Sequence, residues 1–597
     1  MGRSSRNVLG GLILLSALLL ACARAAPTAT PTKAPIPPTA TPTRAVAPAT
    51  ATPTRAPVVV ATPTPVTVPA TPTATARPAP RGVLNAAVEN LGSENWALRV
   101  VTGDEQVIMG HVFELLIGFE PATGTFPASG LAEKWSVADT PGGGAKWSFT
   151  LRKGVQFHQG QGELTAEDFK FSVNEFFKPQ SVNPDSATNL RWIGKDINNI
   201  KIIDKYTFEV NSPEKLVIMI RRLSFARLGI GLSPTSKKYV ETVGEEVATR
   251  RPVGTGPFEF VDHKRNQSVT LKARTEHWRK VPNVAEVNIF VVPEVATRLA
   301  LVRTKGVDIT PIPARFKAEV EAGNLKIFRG EMATDLFGIF GGMVLPSRPG
   351  YKADLPWTGP EPTNEKPRLV RQAMNLAIDR EAILKKILLN EGFLMGVTFN
   401  FQKEGVAWWN PEWKVYPYDP KKAKELLTQA GYPNGFDTNM WVIKLAYSPE
   451  NVDASEAVAS YWEQNLGLKV KRELTEYRPS VRQKLVERTT AGWTYLYTNP
   501  GVTDPIDYAC SVNTSYATVT HTEHPVTDDL CNKAYNELDA AKRVDLIRQM
   551  GNFWYNQYWT VPLANGNILY ATSEKVVNYP VFPQRSVVLN LEYVTIK

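Results

Sequence analysis

Apolar residues fall at helical spacing over 105–117, where Val107, Ile108, His111, Val112, Leu115 and Leu116 form one stripe and predict a helix. Val83 to Ala87 reads as a first strand. Trp147, Phe149 and Leu151 alternate with polar residues, so they predict a strand with one buried face. Pro141-Gly142-Gly143-Gly144 precedes it as a hairpin turn; no helix start or Lys-Ser/Thr follows, as a phosphate loop requires. Thr165 and Asp168 have capping-box spacing, and Phe169, Val173, Phe176 and Phe177 follow on one helical face. Asp419-Pro420 starts another helix with apolar Leu426, Leu427 and Ala430, and Gly431 stops it. Helices and alternating strands intermix to the C-terminus, which predicts an α/β or α+β protein of several sub-domains.

Charge changes the picture at the N-terminus. The net charge is +10, but residues 1–81 hold eight basic and no acidic residues. Residues 82–597 carry 60 basic and 58 acidic residues, so the body is nearly neutral and gives no argument for a nucleic-acid groove. Arg3 and Arg6 precede an apolar run from Val8 to Leu20, too short to span a bilayer and suited to a secretory signal. It ends in Leu19-Leu20-Ala21-Cys22, which resembles the bacterial lipobox. The expectation is a lipoprotein signal peptide over 1–21 and lipid attachment at Cys22, on the outer face of the cell membrane. Residues 23–80 hold 15 prolines, and Ala-Thr-Pro-Thr recurs five times, so 22–81 reads as an extended linker.

Enzyme signatures are missing. There is no G-x-S-x-G, H-E-x-x-H or Walker A motif, so no catalytic residue, metal site or cofactor is expected. His521-Thr522-Glu523-His524 has metal-ligand residue types, yet its polar character and the following Pro525 predict a solvated loop.

Five blocks together resemble the family 5 extracellular solute-binding proteins of bacterial ABC importers, the oligopeptide, dipeptide and nickel group. They are LAEKWSVADTPGGGAKWSFTLRKGVQFHQGQGELTAEDFKFSVNEFF (131–177), PVGTGPFEF (252–260), PEVATRLALVRTKGVDI (293–309), RQAMNLAIDREAI (371–383) and YDPKKAKELLTQAGYPNGF (418–436). The resemblance implies an α/β, two-lobed periplasmic-binding-protein-like clamshell with an additional domain. Lobe one would comprise 83–120, 250–310 and 560–597, the extra domain 121–249, and lobe two 311–559. The implied partners are a small-molecule or oligopeptide-like ligand, ABC permease subunits, and the bilayer through Cys22; no nucleic acid is implied. A secreted hydrolase and a surface sensor on the same fold are the rival readings.

In peptide-binding relatives a Gly-Trp segment is followed by an Asp that pairs with the peptide's α-amino group. Here Gly492 and Trp493 are followed by Thr494, Tyr495, Leu496 and Tyr497. Trp493, Tyr495 and Tyr497 alternate, either as a buried strand face or as an aromatic wall of the ligand cleft; Asn499 continues the series. Trp96 stands near a turn after the first strand, and Trp408 and Trp409 lie with Trp413 in a loop. These are the candidate ligand residues, and fourteen tryptophans in all permit a ring-bearing solute. With Cys22 assigned to lipid and an oxidising compartment, Cys510 and Cys531 are expected to form a disulfide.

Overall fold

Β-branched and apolar alternation produces a strand at Val83–Val88 (β1), with Leu84 and Ala86 fully buried. This and all following geometry come from a computed structural model. It describes residues 79–597 apart from 102, 120–125, 179–180, 182, 184, 228–230, 400–405, 446–447, 501–503 and 582–588. The 1–21 segment, Cys22 and all but the last three residues of the linker lie outside the described residues.

β2 (Ala132–Asp139), β3 (Ala145–Leu151), β4 (Ile200–Ile202) and β5 (Thr207–Ser212) form a small antiparallel sheet in the order β2-β3-β5-β4. Trp147 and Phe149 share its buried face, where Phe149 stacks on Phe208 at 5.1 Å and Trp147 meets Trp192 edge-on at 5.6 Å. Gly142 and Gly143 take positive φ with open space around them, so the triple glycine is the expected turn.

A larger sheet is built from β6 (Phe258–Lys264), β7 (Ser268–Ala273), β8 (Glu286–Val291), β9 (Ile309–Ile312), β10 (Lys326–Phe340), β11 (Gly392–Leu394), β12 (Asp437–Lys444), β13 (Lys469–Glu476), β14 (Trp493–Pro500) and β15 (Val561–Thr572), together with β1. Its order is β13-β12-β14-β10-β15-β9-β1-β8-β7-β6, with β11 against β15. The two long strands β10 and β15 pair antiparallel from Lys326↔Thr572 to Gly338↔Val561. β15 also pairs β9, and β10 also pairs β14, so these two strands join the β1/β6–β9 half to the β12–β14 half. The boundary expected at 310/311 falls inside β9.

Two helical expectations need correction. The helix expected over 105–117 ends at Val112, and Phe113 is extended. The Gly254-Thr255-Gly256-Pro257 turn is the reason: Gly256 N–H donates to Val112 O at 2.8 Å, and a Cβ on Gly254 would lie 2.1 Å from that carbonyl. Leu115 and Leu116 then hand their carbonyls to Leu131 and Ala132 at 2.9 Å, like a strand. Phe177, expected on the buried face, is 39% exposed. The helix tightens to a 3₁₀ turn over Glu175–Phe177, and three residues per turn rotate Phe177 off the stripe. The other local signals take the expected form. Thr165 N–H donates to Asp168 at 2.9 Å, and Asp419 accepts from Lys422 N–H at 2.9 Å.

Candidate functional site

Strands β1, β9 and β12 run out at one crevice. In open α/β sheets ligands sit outside the carboxyl ends of strands. A cavity of about 120 Å³ occupies this place, lined by Glu89 after β1, Arg298, Ala314 after β9, Thr334 of β10, Asn567 of β15, and Glu450. Glu450 begins the 17-residue helix Glu450–Leu466 that follows β12. The walls therefore come from both halves of the sheet, and β10 and β15 form the part between.

Glu450 Oε1 accepts the Ala314 N–H at 3.0 Å. Burial raises the Glu450 carboxyl above its ordinary pKa, and the Ala314 N–H offsets this only in part. Burial likewise raises Glu89, against a smaller opposing effect of Arg298. Arg298 is itself buried: Nη1 donates to the Val292 and Pro293 carbonyls, both at 2.7 Å, and its Nε has no hydrogen-bond partner among the described residues. Asn567 Nδ2 donates to Glu391 Oε2 at 3.2 Å, which ties the β15 wall to the Lys317 and Arg329 ion pairs of Glu391.

None of the seven ligand candidates from the sequence is among the residues lining this cavity. β14 lies inside the sheet, and its alternation faces the interior. Trp493 stacks on Trp441 at 4.4 Å with 12° between planes. Tyr495 is fully buried, and its hydroxyl lies 2.8 Å from His521 Nδ1. Tyr497 is buried against Tyr477 and His521, at 5.0 and 5.1 Å. Asn499 is buried opposite Asp335 on β10 and donates to it at 3.5 Å; Asn565 of β15 donates to the same carboxylate at 2.6 Å. Asp335 follows the cavity-lining Thr334, so Asn499 is the candidate nearest the wall in register.

Trp96 is buried against Phe260 and His263, each at 4.9 Å. Trp409 meets Trp413 edge-on at 6.2 Å, and Trp413 donates to Asn552 at 2.9 Å, which anchors the loop on the helix Ala540–Asn556. Trp408 is half-buried against the same core. Nine of the fourteen tryptophans are buried, so aromatic abundance here reflects packing.

The His521–His524 segment is not a solvated loop: all four residues are buried. Glu523 is neutralised by Arg348 and Arg488, with Nε donors at 2.9 and 3.0 Å. His524 Nδ1 caps the helix Pro525–Tyr535 by accepting Val526 N–H at 3.2 Å. Both arginines are distant in sequence, which is why the segment reads as polar and exposed. Among the described residues no cluster of three metal-ligand side chains occurs. Cys510 and Cys531 are joined as a disulfide with Cα atoms 5.6 Å apart, linking the helices Pro505–Val512 and Pro525–Tyr535.

The cavity residues Glu89, Thr334, Glu450 and Asn567 were not singled out from the sequence. One signal was available for two of them. Glu89 directly follows a strand, and Glu450 opens a helix after one, the positions that line a crevice of this kind.

A family model described as "Bacterial extracellular solute-binding proteins, family 5 Middle" matches residues 127–518. Heme-binding protein A of Haemophilus influenzae is 26% identical over 494 residues, 79% of this chain and 84% of that one. The dipeptide-binding protein of Escherichia coli is 24% identical over 495 residues, 79% of this chain and 87% of that one. The solved periplasmic binding protein DppA of Helicobacter pylori, in complex with peptide STSA, superposes with a TM-score of 0.67 at 22% identity, covering 87% of this chain and 98% of that one. The fold thus matches that of solved solute-binding proteins, and the chain belongs to the bacterial extracellular solute-binding proteins of family 5.

Proposed function

We propose that the protein captures a small peptide-like solute in the cavity between Glu89 and Glu450, closes over it about β10 and β15, and presents it to its permease. As the extracytoplasmic binding component of an ABC importer it carries out no reaction. The observation that carries the reading is the cavity itself, whose walls come from both halves of one sheet. A peptide-like cargo is supported by the relatives named for dipeptides and the relative solved with a peptide. Pockets for drug-sized ligands span roughly 300–1,000 Å³, so a cavity of about 120 Å³ admits such a solute only after its walls separate. The sheet halves then correspond to lobe one and lobe two, with the boundary at 310/311 moved past Ile312 so that β9 stays whole, and 121–249 forms the additional domain. Contacts made from both sides at once favour the closed state. A lipid on Cys22 and the proline-rich linker hold this body outside the membrane.

Native mass spectrometry of the protein purified from its own host tests the reading. A stoichiometric small-molecule adduct lost on denaturation is expected. A protein that carries no adduct and acquires none from a peptide mixture would contradict it.

A further inference from the structure

We propose that the cavity selects its solute by a cationic group, an ammonium or a guanidinium, held between Glu89 on one wall and Glu450 on the other. This rests on the solute-binding reading above and adds the charge of the cargo.

Several buried carboxylates elsewhere have a fixed cation beside them, while buried Asp168 instead accepts the Thr165 and Lys237 N–H groups. Glu114 has Arg279 at 2.9 Å, Asp507 has Arg222 at 2.9 Å, Glu391 has Lys317 at 2.6 Å, Glu523 has Arg348 at 2.9 Å, and Asp308 has Lys575 at 3.0 Å. Burial alone would raise the carboxyls of Glu114 and Glu391, but their partners overcome it and hold both below the ordinary range. Glu89 and Glu450 are the reverse case. Both are partly buried and line the cavity, and both are raised.

The charged groups around them do not supply the missing partner. Around Glu89 stand Asp104, Glu294 and Glu476, which add negative charge, and Arg298, which makes no ion pair with it and lowers it by less than burial raises it. Around Glu450 stand Asp453 and Arg315; the Arg315 guanidinium lies over the Phe316 ring at 5.2 Å. Neither glutamate makes an ion pair within 4 Å among the described residues. Removing carboxylates from water without a cation is costly, and a cavity that imposes this cost on both walls is complementary to a positive ligand group. The two carboxylates line the crevice from different halves of the sheet, so a cation that reaches both would also draw the walls together.

Calorimetric titration of the purified full-length protein, dialysed free of solute, tests this. The probes are trilysine, spermidine and agmatine, with N-acetyl-trialanine amide, triglutamate and calcium chloride as comparators. At least one organic cation is expected to bind tenfold or more tighter than every comparator. Glu89→Gln with Glu450→Gln should weaken that binding about tenfold or more, as loss of charge-assisted bonds does. The double variant should melt no lower than wild type, since it removes uncompensated charge; Glu89→Gln alone gives the same direction should the pair fail to fold. Wild-type affinity should fall as pH is lowered and the carboxyls protonate, from a higher pH than an ordinary carboxylate would require, and the variant's should not. Absence of binding by all three organic cations, unchanged affinity in the variants, or a preference for calcium overturns the proposal. Tighter binding of the neutral or acidic peptide overturns it while leaving the solute-binding reading standing; absence of any small-molecule adduct in the native spectra removes both.

Discussion

Asp507 accepts two N–H groups of Arg222, from Nε at 3.2 Å and Nη2 at 2.9 Å, with both side chains buried. Arg221 donates to the other carboxylate oxygen, and Asp185 sits 3.3 Å from Arg222 Nη1. The cluster joins the helix Met219–Arg222 to Pro505–Val512, two segments almost three hundred residues apart in sequence. Asp507→Ala leaves two guanidinium groups buried with one carboxylate fewer, which costs about 3–5 kcal/mol. Thermal melting of the variant should show a large loss, whereas Glu89→Gln should show none. A melting temperature within a degree or two of wild type for Asp507→Ala would contradict the packing described here.

Two buried histidines should make the body acid-sensitive. His158 and His521 are fully buried, and burial pushes each down to about 3. A histidine lowered by folding is stabilising above its unfolded pKa of about 6.5, and that stability is lost as pH falls toward the folded value. Each should therefore cost about 2 kcal/mol between pH 7 and pH 5. Melting curves across that range check this: His521→Gln should be less stable at pH 7 but flatter with pH than wild type.

The disulfide closes a loop between positions 21 apart in sequence. On the chain-entropy account such a loop contributes about 3 kcal/mol. Thiol labelling of the denatured, unreduced protein should leave Cys510 and Cys531 unmodified, and Cys510→Ala with Cys531→Ala should lower the melting temperature. Two labelled thiols would show that the bond does not form.

Cys22→Ser should release the protein into the medium or leave it unprocessed. Fractionation of cells expressing the variant reads this directly. A processed variant that stays with the membrane like wild type would rule out the lipid anchor.

Local signals in the sequence were the most legible part. The Thr165 and Asp419 caps, the Trp147/Phe149 strand face and the glycine turn at 142–143 each depend on residues within one or two turns of each other. Failures came where distant segments meet. The 105–117 stripe has helical period, but Gly254 and Gly256 approach Val112 and end the helix there. His521 to His524 look solvated until Arg348 and Arg488 arrive on Glu523. The cleft was least legible. Trp493, Tyr495 and Tyr497 alternate as a ligand wall would, yet the strands beside β14 turn them inward. Glu89 and Glu450 face one cavity only because β1 and β12 end at the same crevice, a fact of topology that no short window of sequence contains.

Capture of a solute between the two halves of the large sheet has a direct structural signature. A crystal structure of the protein with the solute it carries from its own host tests this most directly. Density for one small molecule is expected in the crevice, in contact with residues 88–90 on one side and 448–450 on the other. A solute bound elsewhere, with Glu89 and Glu450 facing only water, would contradict capture between the two halves.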